Sequence, residues 1–408
     1  MNRNQKPLLF IFITLVLDVT GLGLIIPIMP ALIMDLGHSS VSEASRIGGW
    51  LTFTYAVMQF VFAPVLGALS DRYGRRPVLL IALFGFGVDY LFLALAPTLG
   101  WIFVGRALCG ITGASITTAS AYIADISTHE NRAKNFGLVG AAFGLGFIIG
   151  PVIGGLLGTF GPRVPFMVAA GLSFLNWLYG YFFLPESLPR ENRRAFSWKR
   201  ANAFGALKSL KKYKGMLGLM LTFFLVYVAS HAVQSTWSFF TIEQFQWDET
   251  MIGISLGVVG VLVALVQGLL IRIVHPRLGN VKSVYLGFWM YFLGLILFAF
   301  ASTSWMMFVF LIPYCLGGLG GPALQSLLSE QVPTQEQGEL QGTLTSLISL
   351  TSIIGPPLMT GLFAAFTAKQ APVYFPGAAF LLAAVIMVIS IYIAHLSLRA
   401  RKSPASTA

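Results

Sequence analysis

Cysteine is nearly missing: the 408 residues hold two, Cys109 and Cys315, both inside apolar runs. That excludes a disulfide framework and a cysteine-based metal site, and each reads as a small buried residue. Charge is scarce as well, with Asp, Glu, Lys and Arg making up 10% of the chain. Hydrophobic residues make up 56% and the mean hydropathy is +0.79. A soluble protein of this length cannot hide so much apolar surface in ordinary cores. Cofactor boxes and catalytic triads are absent too, so the composition speaks against an enzyme, and no cofactor or metal is expected.

What is present is a series of apolar runs of about 20 residues, the mark of a polytopic helical membrane protein. The pattern predicts an all-α chain of twelve transmembrane helices, at 8–30, 46–70, 77–97, 99–123, 134–158, 163–184, 216–241, 250–272, 281–301, 304–328, 338–365 and 373–396. The first run continues through Asp18 to Pro30 without a small-residue cleavage site, so it is expected to be a retained span. Most connections are short, as for antiparallel neighbours in a bundle. The long one divides the chain into a six-helix bundle (1–184), a linker (185–215) and a second six-helix bundle (216–408).

The net charge of +11 invites a nucleic-acid reading. Position decides against it: twenty-two Lys and Arg fall in the termini and even-numbered connections, three in the odd-numbered ones. The excess is topological and places both termini in the cytoplasm. In the linker, Phe204, Leu207, Leu210 and Tyr213 recur every third residue between lysines. This suggests an amphipathic helix on the inner leaflet, with a solvated linker as the alternative.

The two halves repeat. Ile148-Ile149-Gly150-Pro151 recurs as Ile353-Ile354-Gly355-Pro356, an offset of 205 that also pairs Gly113 with Gly318, Asp125 with Glu330 and Gly137 with Gly342. Two six-helix halves of like orientation are the design of parallel-repeat transporters, with the substrate site between them at mid-membrane.

Charges within spans are costly and mark function or pairing. Asp18, Asp89 and Arg106 lie at similar depths, roughly 15–20 Å above the cytoplasmic side at the helical rise. They can meet across the first bundle, where gain or loss of an arginine partner switches a carboxylate's proton affinity. Proton coupling through these residues and a static buried ion pair both fit. His231 is the one histidine well inside a span. It shares a face with Gln234, and reads as a titrating group or a hydrogen-bonded cavity histidine. Gln59, Gln267, Tyr314 and Gln325 complete the candidate substrate cavity.

Between the second and third spans lies Gly67-Ala-Leu-Ser-Asp71-Arg72-Tyr-Gly74-Arg75-Arg76-Pro77, a charged turn that must sit at a water interface. It resembles the signature of the major facilitator superfamily. Gly144-Leu-Gly146-Phe-Ile-Ile-Gly150-Pro151-Val-Ile-Gly154-Gly155 resembles the antiporter motif of that superfamily's twelve-helix drug/proton exporters. Asp18-Val-Thr-Gly-Leu-Gly23, Gln59 to Gly67, Val88-Asp89-Tyr90 and Ala121 to Ile126 are similar to the tetracycline/proton antiporters. The resemblance implies alternating access and proton-coupled efflux of a small amphipathic compound by a monomer in the bacterial inner membrane. Gly67, Asp71, Arg72, Arg75, Arg76, Asp125 and Glu330 would form a cytoplasmic gate. The glycines and Pro151 of span 5 would form a seam with span 8. Tetracycline antiporters carry a histidine in span 8 and an aspartate in span 9, places that hold Val263 and Tyr291 here. Proton coupling is thereby left to the first half and His231. Proton-driven uptake, a non-transporting receptor or scaffold, and a membrane-embedded enzyme are the alternatives. The helix 5 motif, the short loops and the lack of a catalytic constellation speak against them in turn.

Overall fold

The computed structural model describes residues 5–402 apart from 114, 129–130, 199–200, 203–204, 206–212, 214 and 334–335. The expected linker helix over 199–214 falls largely outside the described residues. The described residues are helical, without strands. In order they form α1 (Gln5–Gly37), α2 (Val41–Tyr73), α3 (Arg75–Leu95), α4 (Leu99–Thr112), α5 (Ser115–Ile126), α6 (Arg132–Gly158), α7 (Val164–Phe183), α8 (Leu217–Phe245), α9 (Glu249–Leu265), α10 (Ile271–Ala299), α11 (Ser304–Leu316), α12 (Gly320–Ser329), α13 (Gln337–Thr367) and α14 (Ala378–Lys402).

Among the described residues, eleven helical runs are long and apolar enough to cross a membrane. One, Glu249–Ala299, is 51 residues long and breaks at Gly279, whose φ of 72° no α-helix accepts. It therefore supplies two crossings, and the protein is a twelve-span, multi-pass membrane protein. Several helices overrun the expected spans. For α2 the cause is visible: Ser40 and Glu43 form a reciprocal capping box that starts the helix five residues earlier than hydropathy alone suggests.

Two spans are broken. Span 4 divides at Gly113 into α4 and α5, and span 10 divides at a 3-10 turn, Gly317–Leu319, into α11 and α12. The two breaks sit at the 205-residue offset. Span 8 contains a π-helical stretch, Val266–Leu270, between α9 and α10. A non-helical backbone at membrane depth is tolerated only where protein or a cavity satisfies it.

The chain forms two compact units, residues 1–205 with 247–260, and residues 206–246 with 261–408. The opening of span 8 belongs to the first because Gly253, Gly257 and Gly260 dock on α6. A Cβ at Gly260 would lie 2.6 Å from Ile148 Cγ1, and one at Gly257 2.6 Å from Val152 Cγ2. The first unit's core gathers Phe10, Ile11, Leu15, Leu79, Leu83 and Tyr122. In the second, Trp237 packs edge-on against Phe298 at 5.2 Å, and Phe380 joins Phe298 to Phe240.

Candidate functional site

The buried charges of the first unit separate into a closed pair and a lone carboxylate. Asp89 on α3 is 0% exposed, and Arg106 on α4 donates to it from Nε at 3.1 Å and pairs with its second oxygen through a terminal nitrogen. Such a two-pronged contact is the strong form of the arginine–carboxylate pair. The guanidinium also lies 6.0 Å from the centre of the Tyr55 ring. Gly105 makes the approach possible, since a Cβ there would stand 2.7 Å from Phe92.

Asp18 on α1 is 5% exposed and has no cation beside it among the described residues. Ser115, the first residue of α5, hydrogen-bonds one oxygen, while Oδ2 has no partner among the described residues. Its neighbourhood is closed by Tyr90, which leans on Gly21. The break at Gly113 is what brings Ser115 there. It also frees the Gly113 carbonyl, which accepts from Gln59 Nε2 at 3.1 Å; the same nitrogen donates to the Tyr55 hydroxyl at 2.8 Å. Gln59 is therefore tied to the helix break.

The turn between α2 and α3 is organised by Arg75. Its guanidinium donates to Asp71 at 2.6 Å, to Ser70 Oγ at 2.6 Å and to Asp125 at 3.1 Å. Arg75 alone of the three arginines is placed so: Arg72 lies over the Tyr73 ring, and Arg76 over Tyr181, whose carbonyl it also reaches. Around Gly67 a Cβ would meet nothing within 4 Å.

On α6 the glycines line up against α1. A Cβ at Gly146 would meet Val19, and one at Gly150 or Gly154 would meet the backbone of Thr20 or Leu24 at 2.5 Å. Pro151 packs on Gly23, and Gly155 on the backbone of Glu249 and Thr250. The motif thus serves two contacts, one face on span 1 and one on the opening of span 8.

In the second unit His231 is 8% exposed; Nε2 lies 3.4 Å from Thr351 Oγ1, and the ring rests on Gly355 of the repeated Ile-Ile-Gly-Pro sequence. Gln234 donates to Ser230 and is exposed, as is Gln267 in the π-helical stretch. Gln325 donates to Gln341 at 2.8 Å. Tyr314 packs against Tyr291 with centroids 5.1 Å apart and the rings tilted by 31°, each half-buried, so Tyr291, at the place of the aspartate expected from the resemblance, has an aromatic partner. Glu330 accepts from Asn280 at 2.8 Å. Gly279 and Asn280 lie 205 residues beyond Gly74 and Arg75, and both glycines have positive φ. The second unit thus rebuilds the Gly74–Arg75–Asp125 arrangement with a neutral amide in place of the guanidinium.

Three residues escaped sequence reasoning: Ser115, Asn280 and Glu186. Glu186 binds the backbone amides of Arg75 and Arg76. Its only signal in the chain is a carboxylate placed right after Pro185 at the end of an apolar run. The pairing of Asn280 with Glu330 could have been found by carrying the 205-residue offset on to the α2–α3 turn.

The chain matches the Major Facilitator Superfamily model over residues 11–288 and 276–408. It is 44% identical over 366 residues to a tetracycline resistance protein, class C, of Escherichia coli, covering 89% of this chain and 91% of that protein. It is 34% identical over 391 residues to a class H tetracycline resistance protein of Pasteurella multocida, covering 96% of each. Among solved structures it is similar to the human organic anion transporter MFSD10, with a TM-score of 0.71, 23% identity, and coverage of 97% of this chain and 100% of that one. It is also similar to a D323A mutant of the nucleoside transporter NupG, with a TM-score of 0.77, 15% identity, and coverage of 96% and 99%. These last two likenesses speak for the fold alone. The chain belongs to the Major Facilitator Superfamily.

Proposed function

We propose that the protein is a drug/proton antiporter that exports a small amphipathic organic compound by alternating access, both termini facing the cytoplasm of a bacterial inner membrane. The observation that carries this reading is the contrast between its two buried carboxylates. Asp89 is neutralised by Arg106, whereas Asp18 has no cation and keeps one oxygen unpartnered among the described residues. A buried carboxylate without a counter-ion is most readily accommodated by a proton, and one that takes and releases a proton during the cycle couples transport to the gradient.

The glycine-lined contacts of α6 seal span 5 against its neighbours while leaving a smooth surface for rocking. The Asp71–Arg75–Asp125 cluster serves as a latch at the cytoplasmic mouth. Gln59, His231, Gln234, Gln267, Tyr314 and Gln325 serve the cargo. The names of the relatives make tetracycline the first compound to test, and the Tyr291–Tyr314 pair favours an uncharged aromatic face of the cargo over a carboxylate-bound metal complex.

The test is uptake of tetracycline and of lipophilic drugs into inside-out vesicles under an imposed pH gradient, for the wild type and Asp18→Asn. The expected result is gradient-driven accumulation that Asp18→Asn abolishes. Accumulation of no compound, or transport indifferent to both gradient and substitution, refutes the antiport reading.

A further inference from the structure

Helix α3 begins at Arg75 without a cap of its own. Its N-cap residue is Gly74, which has no side chain to offer, and the first amides of a helix need acceptors from outside it. The acceptor comes from 111 residues further on. One oxygen of Glu186 takes the Arg75 N–H at 2.8 Å, and the other takes the Arg76 N–H at 3.2 Å. The first oxygen also accepts the amides of Ser187 and Leu188, each at 3.0 Å. One carboxylate thus gathers four backbone donors, two of them at a helix N-terminus, where the macrodipole favours negative charge.

Gly74 is fitted to this arrangement. Its φ of 110° is open to glycine, and a Cβ would fall on the Glu186 carboxylate. The segment that carries Glu186 leaves the end of α7 and is pinned to the same cluster at three further points. Tyr122 Oη donates to the Pro185 carbonyl at 2.9 Å, Ser187 Oγ to Asp125 at 3.0 Å, and the Arg194 amide to the Asp71 carbonyl at 3.0 Å. Leu188 is buried beneath it. Arg75 is therefore gripped by three carboxylates: Asp71 and Asp125 through the guanidinium, and Glu186 through the backbone.

We infer that Glu186 is a positioning residue for transport: it caps α3 from the exit of span 6 and holds Arg75 in register between Asp71 and Asp125. The role in transport rests on the antiporter reading above; the cap itself does not. The guanidinium contacts can part and re-form during a cycle, while the backbone contact keeps Arg75 where it can find both partners again. Loss of the cap slows the cycle without touching the cargo.

The experiment uses the purified full chain with Leu188→Cys, labelled by a membrane-impermeant maleimide in detergent, against the parent whose two cysteines are buried. Adding Glu186→Ala should speed labelling about tenfold or more, the loss of charge-assisted hydrogen bonds, and Glu186→Gln, which keeps one acceptor, by less. Asp18→Asn should leave labelling unchanged. In inside-out vesicles given tetracycline, Glu186→Ala should lower Vmax by roughly tenfold with KM nearly constant. Because Gly74→Ala strikes Glu186, the losses from Gly74→Ala and Glu186→Ala should not multiply in the double variant. Where Glu186→Ala is not recovered from membranes, Glu186→Gln carries the test. Unchanged labelling in both Glu186 variants overturns the cap. A rise in KM with normal Vmax, or multiplicative losses with Gly74→Ala, overturns the positioning role. Failure of the parent chain to move tetracycline or any other drug counts against the antiporter reading and with it the role in transport, while the labelling still decides the cap.

Discussion

Asp89→Asn should be far more damaging than Arg106→Gln, although each breaks the same pair. Both groups are buried, at 0% and 8% exposure. Removing the aspartate's charge strands a guanidinium that cannot lose its proton, whereas removing the arginine leaves a carboxylate that neutralises itself by taking one. Breaking a buried pair from one side costs about 3–5 kcal/mol. The Tyr55 ring, 6.0 Å from the guanidinium, returns about 1–2 kcal/mol of that through its π face. The remainder, about 1–4 kcal/mol, corresponds to roughly a fivefold to thousandfold shift toward the unfolded state. The assay is survival of the monodisperse peak in detergent after heating at one temperature, with inactivation rates compared across Asp89→Asn, Arg106→Gln and the double variant. The double variant carries no buried charge at the site and should recover most of the loss. Equal damage from the two single variants, or a double variant as poor as their combined effect, refutes the reasoning. Transport by the recovered double variant then separates the roles: it stays absent if the pair takes part in proton coupling, and returns if the pair only holds α3 to α4.

Gly150→Ala sets a Cβ 2.5 Å from the Thr20 carbonyl and 3.0 Å from Gly23 Cα, both backbone, so the helices must part. A loss of about 1–3 kcal/mol is expected, read as a lower melting temperature; Gly144→Ala, which meets nothing within 4 Å, serves as the silent control. Tyr374, between α13 and α14, donates to Glu243 at 2.7 Å. Burial, that hydrogen bond and the Glu243 charge push its phenol up from 10.0 to about 12. Because the folded value is raised, its stabilising contribution is whole below pH 10 and disappears between about pH 10 and 12. Tyr374→Phe should therefore flatten the fall in melting temperature over that window, and an unchanged pH profile refutes the assignment.

Hydropathy exposed the spans because a bilayer leaves the chain few other options, and the lysine and arginine count supplied their expected orientation. Capping boxes and breaks were harder to see. Ser40 and Glu43 lie in polar sequence that a hydropathy window discards, and Gly113 is one glycine among 43, marked only by its echo at 318. The pairing of Asp89 with Arg106 was open to arithmetic on helical rise. The separate setting of Asp18 was not, since it depends on where a broken span 4 delivers Ser115. Glu186 was invisible for a different reason. Its partners are backbone amides, which have no letter in the sequence.

The long reach of Glu186 also bears on how the first unit is made. Arg75 leaves the ribosome 111 residues before the carboxylate that caps it. At about 5–20 residues per second, α3 waits roughly 6–22 seconds with its first amides unmet. By then α7 has been synthesised, so the turn between spans 2 and 3 sets only when its unit has all six of its own spans. A nascent chain stalled before Pro185 would hold every charge of that turn and still leave it unset, which makes the exit of the sixth span a checkpoint on the completion of the first six spans.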